Sequence, residues 1–326
     1  MKHIYWFFLL IIFSSCQKEV QHDYGFYYWR SNFDLSKDET RLLNQSKVPV
    51  LYTRFFDVQK KGNAYEAVGV LQKKHENSVS KKIVPVIFIT NETWYKISKK
   101  DITFLAQKTT DHINNLAKKF DFKLENEIQI DSDWTKSTKD DYFLFLNELK
   151  RISKKDITST LRLHQVRDKK TMGIPPVKKM YLMCYSTSSP LENSDKNSIL
   201  DLTLLKAYLR DLENYPVKLD IALPIYSWGI VTNHLGKHKL INAIKTSDLE
   251  NKNFEKINDN MYKVVKDDFY FGMYLNKGFE IKVEEVPESD ILESINFIDT
   301  KLNYPYHIIY YHLDNQFTQH YKNLIK

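Results

Sequence analysis

Short apolar runs alternate with helical patterns along most of the chain. Eight runs rich in β-branched and aromatic residues, each bounded by turn residues, predict β-strands. In chain order they cover residues 48–58, 83–90, 127–134, 158–166, 179–186, 217–226, 279–286 and 306–314. Apolar residues three or four positions apart predict amphipathic helices between several of these strands, over 98–120, 142–152, 199–212 and 291–302.

This alternation of strands and helices predicts a parallel sheet with helices packed outside it. Eight strands within about 270 residues fit an α/β fold of the (β/α)8 TIM-like barrel type, spanning residues 48–326 as a single domain. Residues 59–82 lack a helical pattern, so we predict a hairpin there. The connection over residues 234–277 is long, so we predict an insertion after the sixth strand. An open doubly wound sheet is the rival fold, but no glycine-rich phosphate loop follows any predicted strand.

The N-terminus has the pattern of an export signal. Lys2 is followed by the apolar run 4–13, which is too short for a membrane-spanning helix of about 20 residues. Ser14-Ser15-Cys16 then resembles the lipobox of bacterial lipoproteins, in which the cysteine is acylated after cleavage. We therefore predict a signal peptide over 1–15, lipidation of Cys16, and a tether and capping segment over 16–47. A plain signal peptide is the alternative. Lipidation predicts a protein anchored in the bacterial cell envelope, at the outer membrane.

Composition and charge narrow the class of protein further. Hydrophobic residues make up 42% of the 326 residues and charged residues 27%, as in ordinary globular domains. The formal net charge is +7, but the lysines form short, scattered pairs, which predicts a solvated surface and no nucleic-acid partner. Two cysteines cannot form a disulfide scaffold, and no His/Cys cluster has metal-ligand spacing. We expect neither a metal nor a cofactor, and a monomer in which Cys184 is structural.

Candidate chemistry lies at the carboxyl ends of the predicted strands, where TIM barrels place their active sites. Strand alternation turns Asp131 and Asp133 towards the barrel interior, and on the next predicted strand Arg162 and His164. A buried arginine needs a carboxylate partner, so we expect Arg162 to pair with Asp131 and to leave Asp133 reactive. Repulsion between the two aspartates can raise one pKa, which suits general acid catalysis. His164 is either an acid–base or ligand-binding group or a structural residue.

Polar and aromatic residues at the other strand ends complete the predicted mouth, namely Arg54, Asp57, Trp134, Tyr185, Tyr226, Trp228, Glu284 and Asp314. Rings beside carboxylates suit sugar binding, because apolar sugar faces stack on aromatic side chains while charged groups bind the hydroxyls. In a chain that is 14% aromatic, however, a given tryptophan is more often a core residue.

Several of these segments together resemble a known family. The runs LYTRFFDV, IVPVIFITN, EIQIDSDWT, STLRLHQV, MYLMCYS, LDIALPIYSW and IIYYHLD are similar to those of a family of bacterial, often lipidated proteins with a glycosidase-like TIM barrel. The resemblance covers residues 48–315 and implies that barrel. Glycosidases place two carboxylates across the scissile bond, which would make Asp133 and Glu284 the candidate pair. The glutamate that many barrel glycosidases carry on strand four is absent, since Arg162-Leu163-His164-Gln165 stands there.

Two hypotheses about function follow. The first is an envelope-anchored, glycoside-hydrolase-like enzyme that acts on a poly- or oligosaccharide, with Asp133, Glu284 and Asp131 as catalytic candidates. The second is a non-catalytic glycan-binding or envelope-assembly lipoprotein on a degenerate barrel, which the absent glutamate favours. Both predict a carbohydrate ligand at the mouth and a membrane contact through the lipid anchor.

Overall fold

The computed structural model describes residues 22–62, 64–74, 79–192, 194–321 and 323–325. The predicted signal peptide, Cys16 and the first part of the predicted tether lie outside the described residues. None of the helices in the described ranges combines the length and the apolar composition that crossing a membrane requires.

The strands are numbered in chain order as β1 (Tyr24–Tyr28), β2 (Asn32–Phe33), β3 (Val50–Lys61), β4 (Ala64–Val68), β5 (Gln72–Lys73), β6 (Lys82–Ile89), β7 (Glu127–Asp131), β8 (Asp156–Arg162), β9 (Lys179–Met183), β10 (Lys218–Pro224), β11 (Trp228–Thr232), β12 (His238–Asn242), β13 (Phe254–Lys256), β14 (Met261–Val264), β15 (Asp268–Tyr270), β16 (Met273–Leu275), β17 (Glu280–Glu284) and β18 (Ile308–Tyr311). The α-helices are α1 (Lys37–Gln45), α2 (Lys99–Phe120), α3 (Lys139–Ser153), α4 (Leu163–Arg167), α5 (Lys169–Met172), α6 (Leu202–Tyr208), α7 (Thr246–Leu249), α8 (Glu288–Asp299) and α9 (Asn315–Thr318). Short 3-10 helices cover Asn91–Trp94 and Leu212–Asn214.

Eight of these strands close into a parallel barrel. Their order is β1, β3, β6, β7, β8, β9, β10 and β18, and β18 pairs with β1 to complete the circle. The barrel strands are almost continuously buried, because their side chains pack inside the barrel or against the helices outside it. This arrangement confirms the predicted TIM-like barrel in a single domain.

The structure differs from the prediction in which segments form barrel strands, at two places in the chain. Tyr24–Tyr28, assigned above to a capping segment, forms barrel strand β1, in which all five residues are buried. The predicted barrel strand 279–286 instead contributes β17, which pairs antiparallel with β11 and β14 outside the barrel. Their residue patterns explain the difference. A barrel strand is covered on both faces and is continuously apolar, like β1, whereas β17 alternates charged and apolar residues.

The predicted insertion is present and is larger than expected. Strands β12, β11, β17, β14 and β13 form an antiparallel sheet between β10 and β18, so the insertion extends from Trp228 to Glu284. Val231, Tyr262 and Ile281 belong to its own small core. The predicted hairpin also forms, since β4 pairs antiparallel with the second half of β3.

The helices that surround the barrel follow the predicted periodicity. The Ser98 hydroxyl caps α2 by accepting a hydrogen bond from the Asp101 backbone N–H at 3.1 Å. The predicted helices 142–152 and 291–302 correspond to α3 and α8, whereas 199–212 holds only the short α6 and the start of a 3-10 turn. Because the eight barrel strands are parallel, each connection between them returns the chain to the same end of the barrel. The carboxyl ends of the eight strands therefore meet on one face.

Candidate functional site

A cleft of about 730 Å³ opens on this face. Each of the eight barrel strands contributes a lining residue from its second half or from the residues just after it. These residues include Trp29, Asp57, Phe88, Asp131, Arg162, Met183, Tyr226 and Tyr311. The insertion and the C-terminal segment add Trp228, Asn242, Ala243, Gln316 and Phe317. The cleft therefore lies where the strand alternation predicted the site.

Asp131 lies at the bottom of this cleft, at the last residue of β7. Its side chain is 3% exposed, and it accepts a hydrogen bond from the Thr160 hydroxyl at 2.7 Å. Burial raises the pKa of this carboxyl to about 6, although the nearby Arg162 charge and the Thr160 hydrogen bond oppose the shift. Within the described residues, no lysine or arginine lies at ion-pair distance from Asp131. This carboxyl can therefore hold or release a proton near neutral pH.

Arg162 pairs with Asp133, not with Asp131, so the pairing predicted from the sequence is wrong. Its Nε and Nη2 atoms donate to the two Asp133 oxygens at 2.5 and 2.9 Å. The reason is that β7 ends at Asp131, and the chain beyond it carries Asp133 to the guanidinium at the end of β8. Burial lowers the pKa of Arg162, but the hydrogen bond and charge of Asp133 raise it by more. The aspartate expected to be reactive is thus neutralised.

Two further carboxylates at the rim are also bound. Arg54 donates to both Asp57 oxygens, from Nε to Oδ1 at 2.7 Å and from Nη2 to Oδ2. Asp314 caps α9 by accepting from the Gln316 N–H at 2.9 Å, and its Oδ2 lies 3.8 Å from the Arg30 guanidinium. The rim therefore carries arginine–aspartate pairs with little net charge.

One wall of the cleft is built from packed rings. Tyr185 lies 5.4 Å from Tyr311 and 6.1 Å from Tyr226, measured between ring centroids. Trp228 lies 5.3 Å from Tyr226, and Trp29 lies 5.4 Å from Tyr311 on the other side. Ring contacts of this kind fix each aromatic plane before a ligand arrives.

Four polar atoms on the lining residues are buried and have no hydrogen-bond partner in the described part of the chain. They are the Tyr185 hydroxyl, the Ser227 hydroxyl, the Nδ1 atom of His312 and the Nε atom of Arg30. Burial lowers the pKa of His312 to about 4, so its imidazole is neutral at pH 7 and offers one donor and one acceptor. Buried polar groups normally have partners. These atoms are therefore positioned to bind a polar ligand.

Four of the predicted site residues do not line the cleft, and one of them is Asp133, which Arg162 binds. Glu284 lies on β17, is 2% exposed, and accepts from Trp228 Nε1 at 2.8 Å and from Lys282 Nζ at 2.8 Å. It therefore supports the aromatic wall from behind. Trp134 is fully buried and stacks on Tyr142, as a core residue does. Strand β8 ends at Arg162, two residues before His164, and His164 therefore lies in α4.

The other eight predicted site residues lie together. Arg54, Asp57, Asp131, Arg162, Tyr185, Tyr226, Trp228 and Asp314 all line the cleft. The sequence reasoning missed Trp29 and Arg30, because β1 was not recognised as a barrel strand. It also missed Ser227, Tyr311 and His312 as ligand-facing groups. The continuous apolar run at 24–28 was the signal that could have revealed the first two.

Comparison with known proteins identifies solved structures of the same fold. No family model matches the sequence, and no curated relative matches it either. The spore cortex-lytic enzyme SleL of Bacillus cereus is 14% identical, with 93% of this chain and 74% of that chain aligned at a TM-score of 0.57. A chitinase from Chromobacterium violaceum is 12% identical, with 93% and 98% aligned at a TM-score of 0.58. Catalytic domain 2 of the group II chitinase from Ostrinia furnacalis is 9% identical, with 90% and 91% aligned at 0.52. The chain therefore shares the TIM-barrel fold of these glycosidase-like proteins.

Proposed function

We propose that the cleft binds a saccharide and that the chain is a glycan-binding protein on a glycosidase-like barrel. The observation that carries this proposal is the combination of an aromatic wall with buried, unpartnered polar atoms. Tyr226 and Trp228 contribute rings to the cleft lining, while the Tyr185 hydroxyl, the Ser227 hydroxyl and His312 Nδ1 offer hydrogen bonds. A pyranose ring has one apolar face and a rim of hydroxyls, so it matches both features.

The charges of the cleft support a neutral ligand. Arg54 and Arg162 are each paired with an aspartate, and Asp131 is protonated over much of the acidic range because of its raised pKa. A strongly anionic or cationic ligand would need one of these pairs to open. An uncharged sugar needs no such change.

The same pairs argue against the hydrolytic mechanism that uses two carboxylates. Such a mechanism needs an acid and a base or nucleophile about 5–10 Å apart, both free to react. Asp57 and Asp133 are bound by arginines, and Glu284 is bound behind the wall. These contacts favour the glycan-binding hypothesis over a hydrolase that uses two carboxylates.

Hydrolysis is the second candidate function, and one observation favours it. Asp131 has the raised pKa that suits a general acid, and it lies inside an aromatic cleft. Its role would be to protonate a leaving group. A water or a ligand group would have to supply the nucleophile.

The structural neighbours also support a carbohydrate ligand. The chitinase domain from Ostrinia furnacalis is described in complex with a chito-oligosaccharide. The predicted lipidation of Cys16 adds a location to the proposal, with the barrel held at the cell envelope and the cleft available to envelope glycans.

Binding can be tested by calorimetry against a panel of neutral and acidic oligosaccharides. We expect affinity for a neutral oligosaccharide, and we expect Trp228→Ala to reduce it about five- to thirtyfold through the lost ring contact of about 1–2 kcal/mol. Phe104→Ala is the matched control, because Phe104 is an exposed ring on α2, outside the cleft lining. No affinity for any sugar, or an equal loss in the control, would contradict the proposal.

Long incubation of the same oligosaccharides, followed by chromatography, separates the two candidate functions. Glycan binding predicts intact ligand throughout. Product that is formed by the unmodified chain and lost in Asp131→Asn would establish hydrolysis instead.

A further inference from the structure

The fold gathers scattered lysines at the opposite end of the barrel. Six neighbouring strands of the barrel each have an exposed lysine at their first residue or within the four residues before it. These strands are β3, β6, β7, β8, β9 and β10. The six lysines are Lys47, Lys82, Lys123, Lys154, Lys178 and Lys218, here called the lysine ring. The amino ends of parallel barrel strands share one face, so the six side chains surround the face opposite the cleft.

Few acidic groups offset the lysine ring. Lys47 lies 3.5 Å from Asp23, and Lys82 lies 3.2 Å from Glu125. Within the described ranges, the remaining four lysines of the ring have no carboxylate at ion-pair distance. Among the described residues, the first residue of each barrel strand and the four before it include nine lysines and four carboxylates, so this end of the barrel carries a net positive charge.

The cleft end has far fewer lysines near the strand ends. Among the described residues, Lys61 is the only lysine at the last residue of a barrel strand or within the four residues after it. Helix dipoles explain part of the difference, since Lys154 is the C-cap of α3 and favours the negative end of that helix. They do not explain Lys82 or Lys218, each of which is the first residue of a strand.

The chain enters the barrel at this same end. His22 and Asp23 directly precede β1, and the His22 ring stacks on Tyr306 just before β18. Cys16 is six residues before His22, so an extended chain between them reaches at most about 22 Å. An acyl group on Cys16 would therefore hold the amino-end face close to the lipid.

We propose that the face carrying the lysine ring docks on an anionic lipid surface and directs the cleft away from the bilayer. The lysine ring supplies positive charge to meet lipid phosphates, and the short connection to Cys16 brings the same face to them. Neither feature depends on what the cleft binds. The bound barrel would present its cleft to material lying outside the membrane.

Vesicle binding tests the contact without the anchor. A chain beginning at Gln17 lacks the acylation site and keeps every described residue. We expect it to co-sediment at low ionic strength with vesicles of phosphatidylcholine and phosphatidylglycerol, and not with pure phosphatidylcholine. Salt should weaken the binding, because the charges are exposed.

A pair of matched triple variants tests the location of the contact. Lys123→Gln, Lys178→Gln and Lys218→Gln together should weaken binding on the order of a hundredfold, since each lysine near such a surface contributes about fivefold. The control combines Lys100→Gln, Lys136→Gln and Lys237→Gln, which remove the same charge at the start of α2, after β7 and in the insertion. The control should bind nearly as tightly as the unmodified chain.

Protection from acetylation provides a measurement on the unmodified chain. Anionic vesicles should protect Lys123, Lys178 and Lys218 from a water-soluble reagent and leave Lys100 and Lys136 reactive. Equal binding to both kinds of vesicle, equal losses in the two variants, or protection of the control lysines would overturn the proposal. So would binding to a soluble polyanion without binding to vesicles.

Discussion

Arg162 binds Asp133 with two hydrogen bonds, at 2.5 and 2.9 Å, and its charge also acts on Asp131 two residues earlier in the chain. Burial raises the pKa of Asp131, and the guanidinium is the largest influence that opposes this rise. Arg162 therefore neutralises Asp133 at the rim and limits the rise in the pKa of the buried Asp131. A substitution of Arg162, on the neighbouring strand β8, should change the pKa of Asp131.

Replacing Arg162 with methionine should separate these two effects. We expect the pKa of Asp131 to rise above its present value of about 6, because the opposing positive charge is lost. Stability should fall by about 1–3 kcal/mol, because Asp133 loses its charged hydrogen bonds. Carboxyl carbon NMR titration measures the pKa, and urea unfolding measures the stability. An unchanged or lower pKa in Arg162→Met would show that the two groups are not coupled.

The proton on Asp131 should make stability depend on pH in a defined direction. Its pKa is about 6 in the folded chain against an ordinary value of 3.8, so the folded state binds this proton more tightly. The resulting stabilisation is fully present below pH 3.8 and is lost as the pH rises through 6, a change of roughly 3 kcal/mol. Asp131→Asn removes this dependence and keeps an oxygen for the Thr160 hydroxyl.

Urea unfolding of both chains between pH 4 and pH 7.5 checks this expectation. Other groups titrate over the same range, so the informative quantity is the difference in unfolding free energy between the two chains. As the pH rises, the unfolding free energy of Asp131→Asn should increase relative to that of the unmodified chain. A difference that stays constant with pH would mean that Asp131 is ionised in the folded state throughout.

Glu284 should prove to be a supporting residue and not a catalytic one. Its carboxylate accepts from the wall residue Trp228 and from Ser198 and Lys282, which do not line the cleft. Glu284→Gln keeps an acceptor for Trp228 but weakens the contact with the Lys282 ammonium group, which should cost about 1–3 kcal/mol of stability. Calorimetry on the folded variant should show saccharide affinity close to that of the unmodified chain. Wild-type stability combined with lost turnover would restore the catalytic assignment.

The sequence predicted the barrel and most of the cleft, because those features depend on local patterns. Strand alternation correctly placed Asp131 and Arg162 at the mouth. It could not decide which aspartate Arg162 binds, since that depends on where β7 ends. It also assigned Glu284 to the barrel, because an alternating strand at the right spacing was counted as the seventh of the eight barrel strands. The sequence did not predict the lysine ring, because its members are scattered along the chain from residue 47 to residue 218 and only the fold brings them to one face.

The hydroxyl of Tyr185 offers the most direct test of the site. It is buried and unpartnered among the described residues, so the free protein loses the hydration of this group without gaining a hydrogen bond. Tyr185→Phe removes the hydroxyl and keeps the ring contacts with Tyr226 and Tyr311. The free protein should therefore be as stable as before or more stable, by up to about 1 kcal/mol.

The same change should weaken the saccharide complex about tenfold, because the ligand loses a hydrogen bond worth about 1.4 kcal/mol. Thermal unfolding of the free chain and calorimetry with the ligand measure the two effects separately. Opposite changes in stability and affinity are characteristic of a group retained for binding. Tyr321→Phe is the contrasting variant, since the Tyr321 hydroxyl donates to the Val286 carbonyl at 2.9 Å, outside the cleft. It should lose stability and keep its affinity, and a Tyr185→Phe chain that behaves in the same way would remove Tyr185 from the site.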